Sequence, residues 1–277
     1  MSRATQQPHA VDVAIVNWNT SEAALEAARA FTASQGVEAR VTLVDNASAP
    51  AQRELLAEAE LPGVRLVLGE ENVGYGTAAN RALATGTAET ICVSNADVLP
   101  APGALAVLAA ATRDEPRAGM VAPAFDDDAG YHAELPGRLA ILGQTFAGSF
   151  MRRAVASPPA GQTLEIGQPS GACFAMGRET WERLGGFDED FHLWYEDVDL
   201  AKRSREAGCR NLVVGSARVG HANATSFRQL DSRTLQALRL ESLRRYIDKH
   251  HPGLKPVAAP LLRLSAALRA RPSREGS

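Results

Sequence analysis

The first half of the chain repeats one local order, in which a short apolar run ends in asparagine or aspartate and a helical pattern follows. The first run covers residues 11–16, is rich in β-branched side chains and precedes a helical pattern over 21–33. The order recurs, with strands predicted at 40–44, 64–68 and 90–93 and helices at 51–59 and 77–85. This alternation predicts an α/β fold with a mostly parallel central sheet and helices on both faces.

Polar side chains stand directly after three of these predicted strands. They are Asn17 and Asn19, then Asp45 and Asn46, and then Asn95 and Asp97. In open α/β sheets, ligands bind beyond the carboxyl ends of the strands. We therefore expect all of these side chains at one rim of the sheet, bordering a ligand crevice.

The second half of the chain is less regular. Residues 126–168 carry Gly and Pro around an apolar island and indicate a functional loop region. Further patterns predict helices at 102–113, 178–184, 196–207 and 234–250, and strands at 120–123, 172–176 and 212–214. Residues 263–277 are rich in Arg and Ala, and we expect fraying or disorder there.

Length and composition limit the class of protein. A chain of 277 residues, 45% of them hydrophobic, is sufficient for one compact domain. The net charge of −3 gives no global basic field to attract nucleic acid or an anionic membrane. Three widely spaced cysteines fit neither a disulfide framework nor a metal cluster. A polar N-terminus and the lack of a long apolar stretch predict a cytoplasmic protein without a spanning helix.

Asp97 is the first candidate for chemistry. A carboxylate beyond a buried strand is suited to hold a divalent cation that neutralises a diphosphate leaving group. Asn95 occupies the position two residues earlier, so a second protein ligand has to come from elsewhere in the chain. Two plainer interpretations stay open, because Asp97 could shape a turn before Pro100 and Asp45 could cap the helix at 51–59.

The densest candidate site is the segment 187–200, where six acidic side chains mix with Phe, Trp and Tyr. A solvated helix face rarely has this mixture, so part of the segment should line a pocket. Asp197 and Asp199 cannot both face the same way on a helix, and the residue outside the pocket would cap the helix or pair with Arg203. A carboxylate among aromatic residues can act as a general base, while an N-terminal cap run is the alternative.

Two other features carry little chemistry on their own. The Gly74-Tyr75-Gly76 loop lacks the third glycine of a dinucleotide-binding fingerprint and does not follow the first strand, which disfavours a dehydrogenase. His221 follows a strand-like run and, as a single histidine, is more typical of a structural residue.

Taken in order, these motifs resemble the inverting nucleotide-sugar glycosyltransferases of family 2, and the rhamnosyltransferase-like members in particular. The resemblance extends from about Val11 to His251. It rests on VAIVNWN at 13–19, VDNAS at 44–48, ENVGYG at 71–76 with Asn80, SNADV at 94–98, GA at 171–172, GGFDE at 185–189, EDVDL at 196–200, and His221.

The resemblance implies a GT-A fold over residues 11–251, with a nucleotide-sugar half (11–125) and an acceptor half (126–251). A disordered N-terminus (1–10) and a C-terminal tail (252–277) would flank it. In such enzymes the residue matching Asp45 holds the base of the nucleotide. The residue matching Asp97 binds the metal, Mg²⁺ or Mn²⁺, that bridges the diphosphate, and a histidine matching His221 completes the metal site. Asp197 matches the base that deprotonates the acceptor hydroxyl.

The remaining assignments follow the same resemblance. The donor nucleotide side also comprises Asn17, Asn19, Asn72, Gly74, Asn80 and Asn95, and the acceptor side or pocket wall comprises Gly171, Trp194 and Glu196. Many relatives have Asp-x-Asp where this chain has Asn95-Ala96-Asp97. This motif therefore offers the metal one carboxylate instead of two, which weakens the argument for metal dependence.

The implied activity transfers a sugar, with rhamnose as a candidate, from a nucleoside diphosphate sugar to a hydroxyl of an acceptor glycan, lipid-linked sugar or natural product. Peripheral membrane contact through the Arg-rich C-terminal segment would put the protein at the inner face of the membrane. One alternative is a catalytically degenerate nucleotide-sugar-binding or scaffold protein, which the intact Asp97 and Asp197 oppose. The other is a sugar nucleotidyltransferase, which would need a Gly-rich triphosphate loop after Val16.

Overall fold

The computed structural model describes residues 8–127, 131–147, 153–221 and 231–270. The strands are β1 His9–Asn17, β2 Val37–Asp45, β3 Val64–Leu68, β4 Thr90–Asn95, β5 Val98–Pro100, β6 Ala118–Phe125, β7 His132–Ala133, β8 Ala154–Val155, β9 Thr163–Glu165, β10 Cys173–Gly177 and β11 Arg210–His221. The helices are α1 Ser21–Thr32, α2 Pro50–Glu58, α3 Tyr75–Leu83, α4 Ala104–Asp114, α5 Arg138–Ala147, α6 Arg178–Leu184, α7 Glu196–Glu206, α8 Ser232–His250 and α9 Lys255–Ala270.

One mixed sheet organises the fold, in the order β3-β2-β1-β4-β10-β6-β11-β5, with β9 paired to β11. Strands β3, β2, β1 and β4 are mutually parallel, and β6 is parallel to β11. Strand β10 runs antiparallel to both β4 and β6 and joins the two parallel groups. The α/β class with a central sheet is thus confirmed, and the antiparallel pairs lie in its C-terminal half.

Helices cover both faces of the sheet because the central strands are apolar on both sides. Along β1, Val13 and Ile15 pack on one face with α1, α2 and α4. Ala14 and Val16 pack on the other face with α3, α6 and α7. This alternation is the period-2 geometry of a strand that is buried on both faces. It fixes the register of β1 and therefore the position of Asn17 at its end.

A third apolar cluster lies beside the sheet and joins α5, α8 and α9. It includes Leu243 and Tyr246 of α8, Ile141 of α5, and Leu262 of α9. The cluster also contains Val198 of α7, so these three helices pack directly on the helix that begins with the Glu196-Asp197 pair. Among the described helices, none is long and apolar enough to span a membrane.

Both ends of the chain differ from the sequence-based expectation. His9 and Ala10 belong to β1, paired with Val37 and Glu38, so the prediction of disorder is wrong for them; residues 1–7 lie outside the described part. The predicted fraying from residue 263 is also wrong as far as Ala270, because α9 is a helix of 16 residues. Its inner side chains pack on α5 and α8, and this tertiary burial outweighs the Arg-rich composition. Residues 271–277 lie outside the described part.

Strand β5 is one of the elements that the sequence analysis missed, and it positions the site. The three residues of β5 pair antiparallel with β11, which is much longer than the predicted strand at 212–214. In this register His221 is opposite Val98. The imidazole at the end of β11 is thereby brought beside Asp97.

Candidate active site

The carboxyl ends of three neighbouring strands meet at one edge of the sheet. The register puts Asn17 of β1 opposite Asp45 of β2 and Val16 opposite Asn95 of β4. The strand ends therefore lie together, as the sequence predicts. This edge corresponds to the crevice in which open α/β sheets bind ligands.

Asn17, Asp45 and Ser48 form a buried hydrogen-bonded unit at this edge. The Asn17 amide donates to Oδ1 of Asp45 at 3.0 Å, and the Ser48 backbone amide donates to Oδ2 at 3.1 Å. The Ser48 hydroxyl also donates to Asp45, whose side chain is fully buried. Asp45 does not cap α2, whose N-cap residue makes no side-chain hydrogen bond. It holds the loop after β2 through its hydrogen bonds with Ser48.

Two residues of the adjoining loops have left-handed backbone. Asn19 has φ 57° and Ala47 has φ 60°. Oδ1 of Asn19 accepts a hydrogen bond of 2.6 Å from the backbone amide of Ala49, and the backbone amide of Asn19 donates one of 2.7 Å to the Ser48 hydroxyl. Asparagine tolerates this conformation, whereas alanine is strained by it. Hydrogen bonds therefore join the two loops. They hold Asn19 and Ala47 in a backbone conformation that is energetically unfavourable without such contacts.

Asn72 and Gly74 extend the same edge. The Asn46 amide donates to Oδ1 of Asn72 at 3.0 Å, and the Gly74 amide donates to the same oxygen at 3.1 Å. Gly74 has φ 88°, and a Cβ there would stand 2.5 Å from the carbonyl oxygen of His192. Only glycine fits this close approach between the loop before α3 and the segment before α7.

Asn80 lies on α3 and binds the segment before α7 instead of the strand ends. Its amide donates to the carbonyl of Phe187 at 2.9 Å and to Glu189 at 3.1 Å, and its Oδ1 accepts the Phe187 amide at 3.0 Å. Both the nitrogen and the oxygen of the Asn80 side-chain amide therefore make hydrogen bonds. Its contacts indicate that Asn80 holds the Gly186-Phe187 turn.

Asp97 and His221 form the candidate metal pair. The Nε2 atom of His221 lies 3.3 Å from Oδ1 of Asp97, and both side chains are about one-tenth exposed. The other ring nitrogen, Nδ1, shares a hydrogen bond of 3.1 Å with the Tyr131 hydroxyl, which in turn donates to Asp127 at 3.0 Å. A partner on the second nitrogen is typical of histidines that ligate metals, because it fixes the orientation of the ring. Nothing in the sequence signals Tyr131.

The donor set of this pair fits a hard divalent cation. Adjacent ligands of an octahedral ion with bonds of about 2.1 Å lie about 3 Å apart, which matches the separation of the two atoms. In the described part of the chain, no group of three or more His, Cys, Asp or Glu side chains could hold a metal by itself. The pair therefore fits an ion whose other ligands are phosphate oxygens and water.

Asp197 stands at the start of α7, against Gly171. Its Oδ2 accepts the Gly171 amide at 3.2 Å and the Gln168 side-chain amide at 3.3 Å. A Cβ on Gly171 would come within 2.5 Å of the Asp197 Cβ, so only glycine fits. Asp197 is half-buried. Gln168 is a further contact that the sequence analysis did not identify.

The segment just before α7 is strained. Trp194 has φ 64° and Tyr195 has φ 67°, two consecutive bulky residues in the left-handed region. The Tyr195 hydroxyl donates to Gln144 of α5, and its ring packs 5.4 Å from that of Tyr246. Such strain persists only where surrounding contacts fix it, and it is concentrated at functional sites. Here it turns the chain so that Glu196 and Asp197 begin the helix.

Glu196 is the buried member of the acidic pair. Burial, and then the neighbouring charge of Asp197, raises its pKa to about 8. Its Oε2 is buried and makes no hydrogen bond to the described residues. Tyr75 lies close by, donates to the Gly171 carbonyl at 3.2 Å and has its own pKa raised, chiefly by burial and by Glu196. Burial therefore favours the neutral form of Glu196 near pH 7.

Asp199 points away from Asp197, as the helical spacing predicts. It is fully buried and pairs with Arg203 at 2.7 Å, Lys249 at 2.8 Å and His250 at 2.6 Å. Arg203 also donates to the carbonyls of Leu184 and Gly186. This ionic cluster joins α7 to α8 and to the turn after α6, and so supports the end of the helix that carries Asp197.

Comparison with solved structures defines the class of this fold. The chain is similar to a mannosyltransferase from Pyrobaculum calidifontis in complex with GDP-Man and Mn²⁺, with a TM-score of 0.56, 21% identity and coverage of 99% of this chain and 77% of that one. It is also similar to GalNAc-T7 with UDP, GalNAc and Mn²⁺, with a TM-score of 0.57, 14% identity and coverage of 91% and 58%. The fold is that of the GT-A glycosyltransferases.

Sequence comparison gives the family. The model described as "Glycosyltransferase like family 2" matches residues 8–238. The N-acetylglucosaminyl-diphospho-decaprenol L-rhamnosyltransferase of Mycobacterium tuberculosis is 31% identical over 254 residues, which cover 83% of this chain and 81% of that protein. The chain belongs to glycosyltransferase family 2. It is a nucleotide-sugar glycosyltransferase, and the resemblance drawn from the sequence is confirmed.

Proposed function

We propose that this enzyme transfers L-rhamnose, with inversion, from a nucleoside diphosphate to a hydroxyl of a lipid-linked sugar. The sugar and the acceptor class are suggested by the mycobacterial relative, whose name specifies a decaprenyl-diphosphate-linked N-acetylglucosamine and L-rhamnose. A glycan or a natural product is the alternative acceptor. The proposal assigns the reaction to two groups, the Asp97–His221 pair and Asp197.

The Gly171-Ala172 dipeptide provides the main support for this assignment. The carbonyl of Ala172 accepts the Asn95 amide at 2.8 Å, while the amide of Gly171 donates to Asp197 at 3.2 Å. Adjacent residues of one segment thus bind the end of β4 and the start of α7. The loop with Asp97 and the helix with Asp197 are thus linked through one segment, and this supports assigning both to one crevice, as a transferase requires of its leaving-group site and its base.

The donor is assigned to the strand-end side of the crevice. Asn17, Asn19, Asp45, Asn72, Gly74 and Asn95 would border the nucleotide, with Asp45 and Asn17 stabilising the loops. Asp97 and His221 would hold a divalent cation, Mg²⁺ or Mn²⁺, which when bound neutralises the diphosphate leaving group. Structures of similar fold containing Mn²⁺ support this assignment.

Asp197 is assigned as the general base. Its Oδ1 accepts the Val198 amide at 2.8 Å, and a remaining lone pair of the carboxylate would accept the proton of the acceptor hydroxyl while the hydroxyl oxygen bonds to the anomeric carbon. The bond from that carbon to the diphosphate breaks on the opposite side, and the configuration inverts. Gly171 and Gln168 keep the carboxylate oriented, and the neutral Glu196 adds no second negative charge beside it. Trp194 would form part of the acceptor wall.

A lipid-linked acceptor would bring the enzyme to the inner face of the membrane, and a water-soluble acceptor would leave it in the cytoplasm. This part of the proposal rests on the relative's acceptor.

Calorimetry with a panel of diphospho-sugars tests the proposed donor. The protein is titrated with thymidine, uridine and guanosine diphospho-sugars, with and without Mn²⁺, and bound donors are then supplied with acceptor. We expect metal-dependent binding of deoxythymidine diphospho-rhamnose, followed by transfer. Preferential binding of another diphospho-sugar would overturn the rhamnose assignment, and equal affinity without metal would overturn the metal assignment.

A further inference from the structure

Helix α9 has a buried apolar face and a second apolar face that the described residues leave half-exposed. Its inner face packs on α5 and α8 through Ala258, Leu262 and Ser265, all buried. Its outer face carries Val257 and Leu264, which are 52% and 50% exposed. These two residues are seven positions apart and so lie on one side of the helix. A second row of apolar side chains is therefore presented to the exterior.

The start of α5 lies beside the turn that precedes α9. Leu139 is 82% exposed, and the guanidinium of the preceding Arg138 reaches to within 3.8 Å of a Cβ placed on Gly253, in the turn before α9. Among the described residues, five large apolar side chains are exposed, and three of them are on α5 and α9. Exposed apolar side chains concentrated on one surface mark an interaction site more often than scattered ones do.

The charges of these two helices are all positive. Helix α9 contains Lys255, Arg263 and Arg269 and no acidic residue, and α5 contains Arg138 and no acidic residue. The chain as a whole has a net charge of −3, so the basic charge here is a local feature. The nearest acidic contact is Asp248, whose carboxylate lies 3.3 Å from Lys255 and also pairs with Arg244.

We propose that the α5–α9 face, formed by Arg138, Leu139, Val257, Arg263 and Leu264, docks on an anionic lipid bilayer. Apolar side chains flanked by basic residues on a surface helix are suited to the boundary between acyl chains and anionic headgroups. The buried sides of α5 and α9 belong to the cluster that also packs Tyr195 and Val198, on either side of the Glu196-Asp197 pair. Docking through it would hold the start of α7 close to the membrane surface.

This docking agrees with the proposed lipid-linked acceptor but is tested without donor, acceptor or transfer. The full chain is sedimented with sucrose-loaded vesicles made of equal parts phosphatidylglycerol and phosphatidylcholine, and with pure phosphatidylcholine vesicles. We expect binding to the anionic vesicles that weakens as salt is added, because the charges are screened over about 10 Å at 0.1 M salt. Weaker binding to the neutral vesicles is expected.

Two double variants localise the contact. Leu139→Ser with Leu264→Ser removes apolar contact, and Arg138→Glu with Arg263→Glu reverses charge; each should weaken binding about tenfold or more. The matched controls are Leu55→Ser on α2, which is 40% exposed, and Arg113→Glu on α4, and both should bind like the parent. Thermal unfolding and donor titration of each variant separate a folding defect or a donor-site defect from loss of docking.

The proposal is wrong if the parent does not sediment with anionic vesicles or if the controls weaken binding as much as the double variants do. Sedimentation equilibrium identifies the main rival occupant, a second copy of this chain. A dimer that the leucine double variant dissociates, without vesicle binding by the parent, would assign the face to self-association and overturn membrane docking.

Discussion

The Nε2 atom of His221 lies 3.3 Å from Oδ1 of Asp97, although one residue ends β11 and the other follows β4. The short antiparallel pair of β5 and β11 brings the two together. A carboxylate and an imidazole at this separation are suited to share one divalent cation with a diphosphate. The metal assignment for this glycosyltransferase depends on that pair.

The first prediction concerns metal-dependent donor binding. Asp97→Asn and His221→Ala each remove one ligand, and we expect the affinity for the nucleotide sugar in Mn²⁺ to fall at least about tenfold, with little change in metal-free binding. Titration calorimetry with and without Mn²⁺ measures both. Asp114→Asn, at the exposed end of α4, is the control. Unchanged Mn²⁺-dependent affinity in both site variants would rule out this metal pair.

The second prediction concerns the close approach of Gly171 to Asp197. In Gly171→Ala, the new Cβ would stand 2.5 Å from the Asp197 Cβ and displace the carboxylate. A displacement of about 1 Å can cost on the order of 10²-fold in rate, so kcat should fall by that order while donor affinity holds. Gly177→Ala is the matched control, since no atom lies within 4 Å of its added Cβ and its φ is −63°. Steady-state transfer kinetics that are equal for the two variants would contradict the prediction.

The third prediction concerns the buried Glu196. Its pKa is about 8 in the folded protein, so folding binds a proton, and stability falls as pH rises from the unfolded pKa of about 4.3 to about 8. Glu196→Gln removes this penalty and should stabilise the protein by up to about 4 kcal/mol near pH 7.5, but not at pH 4. Urea unfolding at the two pH values tests this, with exposed Glu54→Gln on α2 as the control. A variant that is less stable at pH 7.5 would refute it.

The fourth prediction concerns the ionic cluster around Asp199. Burial alone would raise the pKa of Asp199, but the hydrogen bond from His250 and the charges of Arg203 and Lys249 outweigh it and lower that pKa. The cluster's stabilisation is therefore present above the unfolded pKa of about 3.9 and is lost as pH falls through the lowered folded value.

Asp199→Asn leaves buried cations without their anion and should cost about 3–5 kcal/mol near pH 7. Asp248→Asn, on the solvent side of α8, removes a half-exposed ion pair and should cost less than about 1 kcal/mol. Chemical denaturation across pH 3–7 compares them. A small, pH-independent loss in Asp199→Asn would show that the cluster contributes little.

The parallel half of the fold was predictable because its signals are local. Each of the strands β1, β2 and β4 has an apolar run of its own and ends in Asn or Asp, so their carboxyl ends, with Asn17 and Asp45, could be predicted to meet. Likewise, helical spacing alone separates Asp197 from Asp199, and only Asp199 pairs with Arg203.

The rest depends on long-range pairing. Strand β5 has three residues and no pattern of its own, so residue patterns do not place His221 beside Asp97, and only the family resemblance suggested that pair. The contact of Tyr131 with His221 is revealed only by the fold. The contacts of Asn80 with Phe187 are equally invisible, since the two residues meet only when α3 packs on the segment before α7. For α9, an Arg-rich composition predicted disorder, but burial of its inner face in the third cluster overrides that signal.

The most direct test of the mechanism is Asp197→Asn, compared with the parent in Mn²⁺-dependent donor binding and in sugar transfer. The account predicts unchanged donor affinity, because Asp197 contacts Gly171 and Gln168 and not the metal pair, and a transfer rate lower by about 10²–10⁴-fold. Transfer at the parental rate would contradict the assignment of Asp197 as the base.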